Sequence, residues 1–435
     1  REEDKIMRSQ TFSRRGFLTL SALGLAGTSV YPAQITRRRR GGGPIGGPGT
    51  VIDPPPGDLF RDPAPMVNLS SSPGVVEVEL EAQVQPVSIQ GVTVNLLTYN
   101  GAFPAPTIRV EKGDWLKVRF KNSLPATNAT NILGFRKNVT NLHTHGWHVS
   151  PSDNADNIFL HFDPGEEFLF EYDTSTQEAG TLSWYHPHVH GRVAEQLWGG
   201  LAGALVVEDE TDVLSGYETH ILVLKDLDGD SAEPEPYSRS DYLRGKEGAT
   251  VMVNGQVNPV LPMRPGQVQR WRIVNASTAR YYRLSLENHS MRLVGTDANL
   301  LDQPYPLSEI LVTPGERIDV LVRADQASGS YRLRSLPYSR GGNLPQTVTL
   351  MTISYEGSPV ADVLPDLVNP DAERPDVDQT GLPERRLTLQ MRRMRGLING
   401  HDFDVDPYVI ESEVGSYEIW RVVNRSMMDH PFHQH

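Results

Sequence analysis

The sequence contains no cysteine in 435 residues, which removes disulfides, thiolate-bound zinc and cysteine nucleophiles from consideration for these residues. No apolar run comes near the ~20 residues that a membrane-spanning helix requires, so no stable membrane span is expected. Apolar residues at helical spacing are scarce, and no serine-nucleophile elbow, Walker phosphate loop or dinucleotide fingerprint occurs in a suitable context. The ten methionines are dispersed, Met427 and Met428 being the one adjacent pair. Basic charge is also in short supply. Residues 1–40 hold 9 of the 41 Lys and Arg and 3 of the 54 Asp and Glu, which leaves 32 basic against 51 acidic side chains beyond them. A body that acidic repels polyanions, so nucleic acid is not an expected partner, whereas cations and neutral organic molecules meet no such penalty.

What is present is organised by position. Ser13-Arg14-Arg15-Gly16-Phe17-Leu18 precedes a mildly apolar stretch ending near Val30, the pattern of a twin-arginine export signal. It implies the twin-arginine export machinery as a partner and a periplasmic or extracellular destination, with Met7 read as the initiator. Residues 1–40 are assigned to this signal region and 41–74 to a solvated Gly/Pro linker, since no strand precedes its glycines and proline interrupts them.

Three segments share one pattern: "GDWLKVRFKN" (113–122), "GQVQRWRIVN" (266–275) and "GSYEIWRVVN" (415–424), each with Gly, then Arg six residues on, then Asn nine on. An Asn-Gly pair precedes each copy: Asn100-Gly101, Asn254-Gly255 and Asn399-Gly400. Asn-Gly signals a hairpin turn and the following alternation a half-buried strand. With further alternation at "VVEVELEA" and "SYRLRSL", the chain is read as all-β: three sandwich or barrel units at 75–210, 215–357 and 385–435, the last two joined by a Pro/Asp-rich linker at 358–384. The third unit has about fifty residues where its siblings use some 140. An incomplete third unit in a truncated chain is therefore expected.

Nine of the 13 histidines fall in "HTHGWH" (His143, His145, His148), "HPHVH" (His186, His188, His190) and "HPFHQH" (His430, His433, His435). Residues two apart on a strand share a face, so His143/His145, His186/His188 and His433/His435 present paired imidazoles, with His430 facing away. Imidazole suits zinc, copper, iron and nickel, but one zinc takes three or four ligands. Six imidazoles on shared faces imply a multinuclear cluster or two sites.

Taken with "NLHTHGWHVSPSDNADNIF", "GTLSWYHPHVHGRVAEQLWGGLAGALVVED" and "LINGHDFD", these motifs make the chain from about residue 75 onward resemble the multicopper oxidases: laccases, bilirubin oxidases and cuprous oxidases. The resemblance implies cupredoxin-like domains, the third incomplete, with a copper cluster between the first and third. It implies four coppers in a complete protein: one type 1, one type 2 and two type 3. It assigns His143 and His433 to the type 2 copper, His145, His186, His188 and His435 to the type 3 pair, and His430 to the type 1 copper. It gives Asp156 the role of an acid supplying protons to the oxygen-reducing cluster, and His148 and His190 supporting roles. Dioxygen and a small-molecule or metal-ion reducing substrate are the implied partners, with phenols or aromatic amines favoured over Cu(I) because the methionines are dispersed. The family's His-Cys-His motif does not occur in this chain, which as given is expected to show no turnover. An exported, non-catalytic scaffold of the same fold is the alternative, and a copper nitrite reductase fits the three-unit layout less well.

Overall fold

The computed structural model describes residues 51–435, apart from 179, 209–211, 229–231, 298, 340–345 and 373–376. The twin-arginine segment and the glycine-rich stretch after it lie outside the described residues. The three repeat segments become the strands Trp115–Asn122, Val268–Asn275 and Ile419–Asn424. Each pairs in parallel with an earlier strand: Val75–Ile89, Glu218–Leu227 and Glu384–Arg392 respectively.

The recurring residues have recurring tasks. Each Asn-Gly pair has positive φ at both positions, at 53° and 72°, 52° and 72°, and 53° and 87°, as a type I′ turn demands. The turn asparagine then clips onto the parallel strand. Asn100 accepts from Glu81 N–H and donates to Glu79 O, Asn254 does so with Val223 and Ile221, and Asn399 with Thr388 and Arg386, all at 2.7–3.1 Å. At the far end, the side chains of Asn122, Asn275 and Asn424 each accept the N–H two residues on, at 3.1, 3.0 and 2.8 Å, which starts the turn leaving the strand.

The architecture is all-β. In the first unit a sheet ordered Val92–Tyr99, Val75–Ile89, Trp115–Asn122, Glu167–Asp173 faces a second ordered Ala105–Glu111, Gly203–Glu208, Thr181–His186, His143–His145. Val78, Leu80, Val118 and Phe120 meet Ile108, Val110, Leu205 and Val207 in one core. The second unit likewise packs two six-stranded sheets around Trp271, Ile273, Leu284 and Leu350. The strand Gly203–Glu208 reads as an unbroken apolar run because both of its faces are covered. Leu205 and Val207 point into the first core, while Ala204 and Val206 pack with Ile221, Val223 and Val274 of the second unit.

The second repeat strand departs from the half-buried pattern predicted for it, since every residue of Val268–Asn275 is buried. Arg270 and Arg272 enter a closed ionic cluster, in which Arg270 bonds Asp319 at 3.0 Å and Asp212 at 2.6 Å and both arginines donate to Gly180 O. Buried charges persist only when paired in this way. The expected solvated linker also differs where it is described. Val51–Ile52 adds in parallel to the strand Thr347–Tyr355, and Phe60 N–H and Met66 N–H donate to Val260 O and Thr107 O. The segment straps the second unit to the first. The 358–384 stretch is docked as well, with Val368 buried and its N–H on Asp302 O at 2.8 Å.

Residues 384–424 form a single sheet ordered His401–Asp402, Arg395–Ile398, Glu384–Arg392, Ile419–Asn424. Its side chains are mostly accessible, Leu387 being buried and Val405, Val409 and Val422 exposed. This sheet approaches the first unit through Asp404, whose carboxylate meets His190 Nε2 at 2.9 Å, and through Phe403, packed against the same imidazole.

Candidate metal centre

Antiparallel pairing of His143–His145 with Thr181–His186 sets His143 opposite His186 and His145 opposite Trp184. The strand stops at His186 because Pro187 supplies no N–H to continue the ladder. His188 therefore lies beyond the ladder, and its N–H is held instead by Asn141 Oδ1 at 2.6 Å. Asn141 also donates to Ile158 O and Leu160 O, tying this turn to the loop that carries Asp156. The third histidine group follows the strand Ile419–Asn424 in irregular backbone. Strand alternation thus explains the His143/His145 pair alone; His188, His433 and His435 lie in irregular backbone beyond a strand end.

Six imidazoles nevertheless converge. Ring centroids lie 5.1 Å apart for His143 and His186, 5.0 Å for His143 and His188, 4.4 Å for His143 and His435, and 3.9 Å for His145 and His433. The possible ligand atoms of His143, His145 and His186 lie within 4.8 Å of one another, as do those of His143, His188 and His435. His430 stands apart, its Nε2 hydrogen-bonded to Ser426 Oγ at 2.6 Å. His148 is exposed at the surface, and His190 braces Asp404.

The protonation pattern follows from partners. His143 Nδ1 faces Asp156 Oδ2 at 2.8 Å and Oδ1 at 3.1 Å, and Oδ1 also accepts Thr144 N–H at 2.9 Å. A carboxylate can only accept, so Nδ1 carries the proton and Nε2 presents a lone pair. That Nε2 is buried with no hydrogen-bond partner. Likewise His186 Nδ1 donates to Pro187 O at 2.9 Å, which turns its Nε2 lone pair toward His145 Nδ1 at 3.2 Å. A buried, unsatisfied acceptor is costly in a protein interior, and a metal ion is the partner this geometry suits.

Burial, reinforced by mutual repulsion, lowers the pKa of His143, His145 and His186 well below the ordinary imidazole value. It lowers His188 to about 4 and His433 to about 3, and burial also lowers His435. All six are neutral donors at pH 7, so protons scarcely compete with a metal there. Asp156 is buried, and burial raises its pKa.

Two neighbours were not singled out from sequence. Trp184 lies over His186 at 4.1 Å and is 5.1 Å from His145; its place two residues before His186, on the same strand face, was the available signal. Arg317, from the second unit, packs behind Gly146, and no sequence proximity connects it to the histidines.

A cluster of neutral imidazoles, held where β-units meet and too numerous for one tetrahedral ion, defines a polynuclear metalloprotein with histidine ligands. Models of the multicopper oxidase family match residues 81–212, 217–358 and 370–435. The chain belongs to the multicopper oxidase family, is an oxidoreductase of that family, and so implies copper. It is 28% identical over 351 residues to the multicopper oxidase mco of Staphylococcus aureus, covering 78% of this chain and 69% of that one. It is 30% identical to the cell division protein FtsP of Photorhabdus laumondii, over 77% of this chain and 69% of that protein. The solved multicopper oxidase of Campylobacter jejuni, described as a metallo-oxidase, superposes with a TM-score of 0.73 at 28% identity, covering 86% of this chain and 80% of the other. Among the described residues no helix is long and apolar enough to cross a membrane.

Proposed function

We propose that the protein couples one-electron oxidation of a reducing substrate, a phenol, aromatic amine or metal ion, to four-electron reduction of dioxygen to water. The observation that carries this reading is the convergence of His145, His186, His188 and His435 on His143, whose Nε2 is buried without a partner, with His433 stacked on His145 at 3.9 Å. His143 and His433 hold the type 2 copper, His145, His186, His188 and His435 serve the type 3 pair, and His430, which stands away from the six, serves the type 1 site. Copper bound there supplies one-electron redox steps and a place for dioxygen to be reduced. The chain's own contribution is to orient and to manage protons. Asp156 fixes the His143 proton on Nδ1 and, with a pKa raised by burial, is the acid that supplies protons beside the cluster. Asn141 anchors the His188 backbone, and Trp184 shields one face of His186 from water. Export by the twin-arginine route, to the periplasm or beyond, belongs to the same proposal. Copper content and oxygen uptake, measured on a protein that carries this chain together with a His-Cys-His segment, test it; such a preparation holding stoichiometric zinc and no copper would sink it.

The likeness to FtsP favours one second reading, an exported scaffold that performs no redox chemistry. Retention of the six-imidazole cluster speaks against it. His186→Ala, made in a protein that also carries the His-Cys-His segment, separates the two readings, because it abolishes oxidase activity and leaves a scaffold's association intact.

A further inference from the structure

The loop 313–316 and the strand Arg317–Arg323 belong to the second unit, yet their start packs against the cluster. A side-chain carbon on Gly315 would lie 3.4 Å from His145 Cε1, and one on Gly146 would lie 2.2 Å from Arg317 Nη2. The glycine of the His-Thr-His-Gly motif is thus required twice over: its φ is +95°, and the arginine occupies the space a side chain would need. Arg317 is 4% exposed. Its Nη1 donates to Gly315 O at 3.0 Å and pairs with Asp297 Oδ1 at 3.1 Å, while its Nε is buried without a partner. A guanidinium does not deprotonate in proteins, so a charge held here is permanent. Glu316 offsets it poorly, since burial and the neighbouring Asp297 push its carboxyl up to about 7.

We propose that Arg317 is a positioning residue of the metal centre, a fixed cation supplied by the second unit behind His145 that biases the His145/His433 side toward monovalent over divalent copper. The inference rests on the copper reading given above. Its physical basis is that a buried positive charge repels a doubly charged ion more than a singly charged one. Asp297, partly accessible on the far side of the guanidinium, moderates the effect.

The test uses the full chain as wild type, Arg317→Gln, Arg317→Lys and Asp297→Asn, with Cu(I) and Cu(II) affinities measured separately by chelator competition. Arg317→Gln is expected to tighten Cu(II) relative to Cu(I) by about tenfold, equivalent to a fall of about 59 mV for a one-electron couple. Arg317→Lys is expected to stay near wild type, and Asp297→Asn to move the ratio the opposite way. Equal ratios in all four proteins, or Arg317→Lys matching Arg317→Gln, overturn the inference. Should Arg317→Gln fail to fold, Asp297→Asn decides alone, an unchanged ratio counting against the proposal. A wild type whose copper uptake is untouched by His186→Ala overturns the copper reading and the inference with it, whereas normal uptake with an indifferent ratio overturns the inference alone.

Discussion

The substitution Asp156→Asn exchanges one oxygen for an amide nitrogen and reverses the logic of the cluster. Asp156 Oδ1 accepts Thr144 N–H at 2.9 Å, and Oδ2 faces His143 Nδ1 at 2.8 Å. The backbone donor at Thr144 has no alternative role, so the single amide oxygen of the introduced side chain must serve it, and the amide NH2 then points at His143 Nδ1. Two donors cannot share that contact. The imidazole therefore moves its proton to Nε2, the buried atom that otherwise offers a lone pair to the metal. Loss of such an outer hydrogen bond costs metal affinity about 10- to 100-fold, or about 1.4–2.7 kcal/mol. Titration with Co(II) as a spectroscopic stand-in for copper reads the affinity, and nitrogen NMR of the imidazole reads the tautomer. A variant that keeps wild-type affinity with His143 still protonated at Nδ1 would refute the reasoning.

Three further outcomes follow from the same geometry. Arg270→Met leaves Asp319 and Asp212 facing Arg272 alone, at 3.5 and 3.4 Å, and should cost about 3 kcal/mol of stability, as broken buried ion pairs do; denaturant midpoints measure it, and a loss below about 1 kcal/mol would contradict the buried-cluster reading. Glu316, pushed up from 4.5 to about 7, binds its proton more tightly folded than unfolded, so its contribution is greatest below pH 4.5 and is lost as pH rises toward 7. Glu316→Gln should flatten that decline between pH 5 and pH 8, and equal declines in both proteins would be contrary evidence. Gly113 and Gly266 occupy the same repeat position with φ of 96° and 83°, but a side-chain carbon meets nothing at Gly113 and comes within 2.0 Å of Val360 O at Gly266. Gly113→Ala should cost about 1–2 kcal/mol in backbone strain and Gly266→Ala clearly more, in paired thermal melts; equal losses would show that the carbonyl yields freely.

The repeat was legible because its residues do local work. Asn100, Asn254 and Asn399 each satisfy a donor and an acceptor on the neighbouring strand, and Asn122, Asn275 and Asn424 each open a turn nine residues after Gly113, Gly266 and Gly415, a spacing set by one strand that leaves a turn and enters the next. The all-β architecture could be read for the same reason, as could the pairing of His143 with His145 on one short strand. Burial at unit boundaries could not. Arg270 and Arg272 look like the solvated face of a strand until Asp212 and Asp319 arrive from elsewhere in the chain, and residues 51–69 look like a free linker until their N–H groups find Thr107 and Val260. The metal centre divides along the same line. His186 and His188 are conspicuous in sequence, but what sets their directions is Pro187 ending a ladder and Asn141 catching the next N–H. Arg317, about 170 residues from His145, reaches the cluster through the docking of the second unit on the first. A short motif can disclose which donors are available. The tautomer each donor adopts, and the charge it works beside, depend on contacts between units, which is why substitutions at Asp156 and Arg317 test the centre more sharply than deletion of any one histidine.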